Sequence, residues 1–437
     1  MERTQTSQVI KKIGQKILLK GWVHMLRDHG KIKFLILRDI KGTIQCVISS
    51  NTKDAFEIAQ KLTHESVVVI EGLVKEEKQA PGGVEIAVEK LQILSLADAE
   101  LPIPVIEKTK NETEQSIRLD YRWIDLRKFE KTLIFIIGNS MEQFIKEFFI
   151  DNEFLQIHSP KIMPYPSESG SELFEVKYFE RKAYLAQSPQ FYKQMAMASG
   201  FERVFEIGPV FRAEPSFTAR HATEYTGIDF EVSYIESYQD VIQVIEKLMI
   251  YIISKLKESY GKQIQKVYDR EIIVPLSPFP QISLLEAKKL LKSKGVSSEK
   301  EGDLNNEEEI EICKIMKEKT GHEFVFITEY PITNRAFYHK RFDDRPTITM
   351  GSDLLWNGLE ISTSAQREHR YENLKSQALQ KGLTIEGIKN YLDFFKYGCP
   401  PHGGAGLGFD RILMKLLDMP NIRETMYLYR GVKRITP

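Results

Sequence analysis

The sequence predicts an α+β protein in which a small N-terminal β-barrel precedes a larger domain of antiparallel strands with flanking helices. Residues 17–97 contain five short segments rich in Val and Ile, several with period-two alternation, punctuated by Gly, Asn and Asp. After about residue 130, long helical patterns mix with runs of strands that do not alternate as βαβ units. These two observations set the fold class and the domain order.

The five N-terminal segments are KILLKGWVHML, KIKFLILRD, GTIQCVISS, SVVVIEGLV and VEIAVEKLQIL, with helical DAFEIAQKLT between the third and the fourth. Five strands with a helix at this position match an OB-type barrel. The two prolines of LPIPVIEK indicate a linker, because proline interrupts regular backbone hydrogen bonding. We therefore predict an OB-type domain over residues 1–100 and a hinge over 101–130.

The second predicted domain covers residues 131–437. KTLIFIIGNSMEQFIKEFFIDN has helical spacing, and FLQIHSPKIMP is extended. RVFEIGPVFRAE and EYTGIDFEVSYI are predicted to be paired strands around a loop, and LLWNGLEISTSAQ is strand-like. A charged helical insertion is expected at about 236–320, and a helix begins after the glycines of GLGFDRILMKLL.

Charge gives little indication of a partner. The chain is 42% hydrophobic and 28% charged with a formal net charge of +0, typical of a globular protein. Residues 1–50 nevertheless hold ten Lys/Arg against three Asp/Glu. This basic segment suits a polyanion, or is an ordinary solvated face.

Cysteine usage and hydropathy predict a cytoplasmic protein with no membrane span. Cys46, Cys313 and Cys399 are scattered and odd in number, which argues against a disulfide framework or a structural zinc site. The N-terminus lacks the apolar stretch of a signal peptide. The most apolar run, Leu133 to Ile150, is interrupted by polar residues and fits an amphipathic helix.

The segment GPVFRAEPSFTARHATEYTGIDFEV carries the strongest chemical pattern. Arg212 and Arg220 flank a loop between two strands, with His221 next to the second arginine. Arginine's planar fork suits phosphate and carboxylate oxygens, so this loop could direct both side chains at a triphosphate. Ordinary surface ion pairs with Glu214 and Glu224 are the alternative.

A second pattern lies in SDLLWNGLEISTSAQR. Asp353 and Glu360 would lie on opposite faces of an unbroken strand, but a turn at Asn357-Gly358 would let them converge. With the Thr363 hydroxyl they would form a hard oxygen site for Mg²⁺. A hairpin with solvated acids remains the alternative.

The third pattern is PPHGGAGLGFDRIL. Its glycines allow close backbone approach, and Arg411 begins the following helix. It is not a GxGxxG turn after a buried strand, so a dinucleotide-binding fold is not indicated. A tight turn with one surface arginine is the alternative.

Three segments, in this order along the chain, resemble the signature motifs of class II aminoacyl-tRNA synthetases: FLQIHSPKIMP the first, FRAE with RH the second, and GLGFDR the third. An N-terminal OB-type domain is found in the aspartyl, asparaginyl and lysyl subclass. SESGSELF, AQSPQFYKQM, RLDYRWIDLR, EISTSAQREHRYE and PNIRETM resemble the archaeal and eukaryotic branch of the aspartyl enzymes over nearly the whole chain.

This resemblance implies a ligase that activates L-aspartate with ATP and Mg²⁺, charges tRNA-Asp, and is a homodimer. The resemblance implies aspartate contacts from Glu168, Gln190, Lys193, Arg212, Thr363 and Arg367. It implies ATP contacts from Arg212, Glu214, Arg220, His221, Tyr225, Glu360, Gly408 and Arg411, with Arg212 and Arg411 catalytic. It implies Mg²⁺ ligands at Asp353, Glu360 and Thr363.

The same resemblance assigns roles in the OB-type domain. Phe34, Gln45 and Glu71 fall where the family recognises the anticodon, although Phe34 alone would be expected in the barrel core. His24 and Pro81 stand where enzymes restricted to tRNA-Asp carry Trp and Lys. They resemble enzymes that also charge tRNA-Asn.

Two alternatives remain open on the sequence. An asparaginyl enzyme is the nearest, and the lysine of YKQ, Lys193, argues against it because asparaginyl relatives lack that lysine. A paralogue without charging activity is the other, and the presence of Arg212, Arg411 and Glu360 argues against it. FDR in place of AER, Thr363 in place of serine and the C-terminal YLYRGVKRITP depart from the family pattern.

Overall fold

The computed structural model describes residues 1–107, 112–164, 173–216 and 218–437. The chain divides into two compact units, Met1–Thr132 and Leu133–Pro437.

The first unit is built on a closed five-stranded barrel with strand order β1-β2-β3-β5-β4. Its elements are β1 (Lys16–Asp28), β2 (Ile32–Asp39), β3 (Gly42–Ser49), α1 (Lys53–Ala59), β4 (Val67–Glu76) and β5 (Val84–Ser95). All neighbouring strands are antiparallel except β3 and β5. Alternate side chains such as Val68 and Ile70 fill the interior. The predicted OB-type barrel, with its helix between the third and fourth strands, is confirmed.

Two short helices follow the barrel within the first unit, α2 (Gln115–Asp120) and α3 (Arg122–Asp125). They are joined by buried charge, because Arg118 and Arg122 both donate to the Asp125 carboxylate. The predicted hinge therefore contains ordered helix as well as linker.

The second unit contains a large sheet and most of the helices. The helices are α4 (Phe129–Asp151), α5 (Gln190–Ala198), α6 (Tyr238–Tyr268), α7 (Leu284–Ser293), α8 (Asn306–Thr320), α9 (Tyr371–Gln380), α10 (Lys389–Lys396) and α11 (Phe409–Leu416). The strands are β6 (Leu155–Gln156), β7 (Ile162–Met163), β8 (Glu175–Tyr178), β9 (Arg181–Leu185), β10 (Arg203–Phe211), β11 (Glu224–Ser233), β12 (Gln281–Ser283), β13 (Phe324–Thr328), β14 (Gly351–Trp356), β15 (Leu359–Gln366) and β16 (His402–Gly408).

The eight-stranded sheet has the order β12-β13-β14-β15-β16-β11-β10-β6. Its central pairs are antiparallel, as predicted, but β12 pairs with β13 and β6 with β10 in parallel. The sheet is therefore mixed, and its antiparallel centre carries the residues described below.

The region predicted as an insertion contains α6, α7, α8 and the edge strand β12. Each of these helices begins at a side chain that caps its free backbone N–H groups: Ser237, Ser283 and Asn305. The strand was not predicted, because β12 is too short for periodicity to reveal it.

Within the part of the chain that the structure describes, no helix is long and apolar enough to cross a membrane.

Candidate active site

A row of side chains runs across one face of the central sheet. Asp353 lies opposite Thr363, Thr363 opposite Gly406, and Gly406 opposite Asp229 on the next strand. Residues directly opposite one another share a face, so the row brings acids and a hydroxyl from three strands together around a glycine.

Glycine on β16 leaves the floor of the site without side chains. A Cβ at Gly404 would lie 2.1 Å from the Phe230 carbonyl oxygen and 2.2 Å from Glu231 Oε2. The alternative of a tight turn for this segment is therefore wrong, because it forms a central strand. Its glycines let the Glu231 carboxylate lie directly against the backbone.

The hairpin between β14 and β15 explains how Asp353 and Glu360 converge. Asn357 and Gly358 both have positive φ (43° and 79°), as a tight two-residue turn requires. The turn places Glu360 opposite Leu355, two residues from Asp353 and on its face. A bulge after Leu354 then puts Thr363 opposite Asp353, and the Thr363 hydroxyl donates to Glu360 Oε1 at 2.9 Å.

These strands form the wall of a cavity of about 360 Å³. Tyr225 and Glu231 are six residues apart on β11, so they mark two ends separated by roughly 20 Å. Of the residues singled out in the sequence, Gln190, Arg212, Glu214, Arg220, His221, Tyr225, Glu360, Thr363, Arg367, Gly408 and Arg411 line the cavity. Glu168 lies outside the described residues.

One end, the quartet end, is defined by four buried charges: Lys193, Arg367, Asp229 and Glu231. The Lys193 ammonium lies 3.0 Å from Asp229 Oδ1 and 3.3 Å from Glu231 Oε2. Arg367 Nε donates to Glu231 Oε1 at 2.9 Å, and its Nη2 donates to the Gly404 carbonyl at 3.0 Å. Two cations thus face two carboxylates, and their formal charges cancel.

Each buried charge of the quartet has a partner of opposite charge. Burial raises the pKa of Glu231, but Arg367 and Lys193 outweigh burial and hold the pKa below its ordinary value. Lys193 also donates to the backbone carbonyls of Phe230 and Ala405. Lys193 lies behind the cavity wall, whereas Asp229, Arg367 and Gln190 line it. Lys193 is thus separated from the cavity by Asp229, and its contact with a bound amino acid stays a prediction.

The other end, the arginine end, is defined by Arg212, Arg220 and Arg411, with His221 and Tyr225. The Arg212 guanidinium lies over the Tyr225 ring at 5.8 Å. Arg411 donates to the Glu360 carbonyl at 2.9 Å. His221 lies 3.6 Å from Glu214, and the Arg212 guanidinium lies 3.8 Å from the same carboxylate. Three guanidinium groups near aromatic and carboxylate side chains suit a bound nucleotide.

Arg220 makes an ion pair with Glu309, which comes from α8. Burial raises the pKa of Glu309 to about 7, and the nearby Glu360 adds to the rise although Arg220 opposes it. Unlike Glu231, this carboxylate is not fully compensated by its surroundings.

The three residues predicted as Mg²⁺ ligands lie on β14 and β15. Both oxygens of Asp353 accept from Arg335, at 3.0 and 2.5 Å, and burial raises the pKa of Asp353. Glu360 and Thr363 line the cavity itself. Among the described residues, no group of three or more His, Cys, Asp and Glu side chains could hold a metal.

Asp229, Glu231, Glu309, Arg335 and His339 were not assigned roles from the sequence. The alternation of Asp229 and Glu231 along an apolar strand was an available signal, because buried acids require partners. Arg335 and His339 lie in an irregular segment, and Glu309 lies in an acidic helix, so no periodicity marks them.

The barrel residues of interest lie on the outer surface of the first unit. Phe34 is half-buried and outside the barrel core, with an edge contact to His29 at 5.5 Å. Gln45 donates to Glu85, and Glu71 pairs with Lys90. The alternative of Phe34 as a core residue is therefore wrong. His24 lies 2.9 Å from an Arg38 nitrogen, and Pro81 is exposed.

Comparison with known families gives two matches. The model for class II tRNA synthetases (D, K and N) matches residues 114–430, and the model for the OB-fold nucleic acid binding domain matches residues 17–94.

Individual relatives match along nearly the whole chain. An aspartate–tRNA(Asp/Asn) ligase from Methanopyrus kandleri is 44% identical, covering 97% of this chain and 96% of that protein. An aspartate–tRNA(Asp) ligase from Pyrococcus abyssi is 41% identical, covering 97% of both. The structure of asparaginyl-tRNA synthetase from Pyrococcus horikoshii complexed with asparaginyl-adenylate superposes with a TM-score of 0.91 at 32% identity, covering 100% of both chains.

Proposed function

This chain belongs to the class II tRNA synthetase family of the D, K and N enzymes, and we propose that it is an aspartate–tRNA ligase. Relatives named as aspartate ligases support the choice of amino acid. The overall fold does not distinguish aspartate from asparagine, because an asparaginyl enzyme has nearly the same one. The distinction comes from the charges at the quartet end.

The charge balance of the quartet is the observation that carries the proposal. Lys193 and Arg367 are neutralised by Asp229 and Glu231 in the free protein. Asp229 lines the cavity and can accept from the ammonium group of an amino acid. A bound aspartate then brings one positive and one negative charge to this end, and the buried site stays neutral.

Asparagine would upset this balance. It lacks the side-chain carboxylate that could accept from Arg367, and its amide N–H groups would face donors. Buried charges and donors without partners are costly. Sites built to pair a polar group discriminate by about 10⁴ or more against a ligand that lacks it.

The arginine end supports binding of ATP. Arg212 is assigned to the α-phosphate and the substrate α-carboxylate, and Tyr225 and Glu214 to the adenine. Arg220 and His221 would hold the outer phosphates. Arg411 would stack on the other face of the adenine and touch the γ-phosphate, and Gly408 would contact ATP. These side chains line one cavity, as this role requires.

The reaction needs positioning and charge stabilisation. The α-carboxylate of aspartate attacks the α-phosphorus of ATP, the bond to the bridging oxygen breaks, and pyrophosphate leaves. The nucleophile is already ionised, so no general base is required. Arg212 and Arg411 stabilise the charge on the transferring group. The terminal hydroxyl of tRNA then attacks the mixed anhydride, and AMP leaves.

Mg²⁺ fits the donor set in part. When bound, Mg²⁺ neutralises phosphate charge, and it prefers a few carboxylates together with phosphate oxygens and water. Glu360 and Thr363 provide such oxygens at the cavity wall. Asp353 does not line the cavity, and both of its oxygens accept from Arg335.

We infer that tRNA binds the barrel through Phe34, Gln45 and Glu71, which lie on its outer surface. Stacking on a half-buried ring at the surface and hydrogen bonds from polar groups suit unpaired anticodon bases. His24 and Pro81 support charging of tRNA-Asn as well as tRNA-Asp, and relatives of both kinds are known.

A cytoplasmic homodimer completes the proposal. Ile150, Leu155 and Ile162 are large apolar residues exposed in and beside the segment that resembles the dimer-forming motif. Cys46, Cys313 and Cys399 are free thiols, as expected in a reducing compartment. Light scattering that gives a monomer mass would contradict the dimer.

The proposal is tested by aminoacylation with labelled aspartate, ATP and Mg²⁺ on purified tRNA-Asp and tRNA-Asn in parallel. Charging of both is the expected result. Charging of tRNA-Asp alone would contradict the roles of His24 and Pro81 and leave the ligase intact. Charging of neither would contradict the proposed function.

A further inference from the structure

His339 is a buried residue in the wall of the cavity, and it has no role in the reaction proposed above. It is 4% exposed, and its imidazole is among the groups that line the cavity. Its Nδ1 has no hydrogen-bond partner. Buried polar atoms are normally paired, so this one requires an explanation.

The backbone fixes His339 beside Arg367. The two residues form an antiparallel bridge, and the Lys340 N–H donates to the Gln366 carbonyl at 3.0 Å. The His339 carbonyl accepts from Gln377 Nε2 at 3.1 Å. His339 therefore belongs to the quartet end, and its placement is rigid.

The surroundings decide which ring nitrogen carries the proton. Nδ1 lies against β14, where a Cβ on Gly351 would be 3.2 Å from it. Nδ1 has no hydrogen-bond partner, and we assign the proton of the neutral ring to Nε2 because an unpaired buried acceptor costs less than an unpaired buried N–H. Burial, reinforced by Arg367 and Arg335, lowers the pKa of His339 well below its ordinary value and keeps the ring neutral.

We propose that His339 is a specificity-determining residue whose Nε2–H donates a hydrogen bond to the side-chain carboxylate of the bound amino acid. The inference rests on the proposed function, because it concerns the same aspartate. Arg367 and His339 line the cavity side by side and would both present donors to that carboxylate. A carboxylate has two accepting oxygens for these donors, whereas an amide would turn an NH₂ group toward one of them.

The test uses three variants of the full-length protein. His339→Leu removes the hydrogen-bond donor and fills the space of the imidazole with an apolar side chain. His339→Gln retains an amide that can donate, and by rotation can also accept. His369→Leu is the matched control, because His369 also has an unpartnered buried Nδ1 but does not line the cavity.

Aspartate and asparagine binding are measured by calorimetry, and the KM values for aspartate and ATP by pyrophosphate exchange. His339→Leu should weaken aspartate binding by about ten- to a hundred-fold, the usual worth of a hydrogen bond to a charged group. The KM for ATP should not change. His339→Gln should keep most of the aspartate affinity but bind asparagine more tightly than wild type does, and His369→Leu should match wild type.

Unchanged aspartate affinity in His339→Leu would overturn the inference while leaving the ligase itself intact. Should that variant fail to fold, His339→Gln decides the matter, and an unaltered preference for aspartate over asparagine would count against the role. Wild-type protein that bound asparagine and not aspartate would overturn the proposed function as well.

Discussion

The two ends of the cavity differ in how far their cations are buried and paired. At the quartet end, the side chains of Lys193 and Arg367 are 2% and 4% exposed and are held by buried carboxylates and backbone carbonyls. At the arginine end, the side chains of Arg212 and Arg220 are 45% and 23% exposed. The pKa of the buried carboxylate is lowered at the first end, for Glu231, and raised at the second, for Glu309.

This difference separates selection from chemistry. The quartet end is preorganised and neutral, so it can select a zwitterion with an anionic side chain without large rearrangement. The arginine end keeps its cations accessible, and its charges are completed by the phosphates of the nucleotide. Stability should therefore depend on the first end, and turnover on both.

The largest expected effect is from Arg367→Met. This change leaves Glu231 buried with one cation fewer, and breaking such a pair costs about 3–5 kcal/mol of unfolding free energy. Aspartate activation should be lost as well. Chemical denaturation measures the first effect and pyrophosphate exchange the second. An Arg367→Met protein as stable as wild type would contradict the distinction between the two ends.

Arg212→Met is the matched change at the arginine end. Its half-exposed side chain should contribute less than about 1 kcal/mol to stability. Loss of a group that stabilises transition-state charge should lower kcat by about 10²–10³. A strongly destabilised Arg212→Met protein would show that this end, too, is a structural ion cluster.

A pH series compares the two buried acids directly. The pKa of Glu309 is raised to about 7 in the folded protein, so its ionisation costs stability that grows as pH rises from about 4.5 and is complete above about 7. Glu309→Gln should therefore gain up to about 3 kcal/mol relative to wild type between pH 5 and pH 8.

Glu231→Gln should behave in the opposite way. The pKa of Glu231 is lowered, so its charged form stabilises the fold above its unfolded pKa, and that contribution is lost as pH falls. The variant should be less stable than wild type at pH 7, with a smaller deficit in acid. Parallel pH trends for the two variants would contradict the comparison.

The smallest expected effect lies outside the cavity. Phe34→Ala should weaken tRNA binding by about 1–3 kcal/mol, the usual worth of stacking a base on an aromatic ring. Because Phe34 belongs to the first unit and every residue that lines the cavity belongs to the second, pyrophosphate exchange should be unaffected. Aminoacylation at limiting tRNA measures the loss, and reduced exchange would show a structural defect instead.

The sequence predicted the barrel, the central strands and the hairpin that joins Asp353 to Glu360, because Val/Ile alternation and an Asn-Gly turn are local signals. It did not predict the glycine-rich strand β16, since glycine normally weakens a strand and is used here to admit the Glu231 side chain.

Within the site, resemblance to known motifs predicted most of the charged residues that line the cavity. It did not predict their partners. The neutralisation of Lys193 and Arg367 by Asp229 and Glu231, and of Asp353 by Arg335, depends on contacts across strands that no single segment encodes. His339 was missed for the same reason.

The most direct test of the account is pyrophosphate exchange by the wild-type protein with aspartate or asparagine as the only amino acid. A neutral quartet that admits a side-chain carboxylate predicts exchange with aspartate, with kcat/KM for asparagine lower by about 10⁴ or more. Comparable exchange with asparagine would contradict the claim that the charge balance at this end selects the substrate.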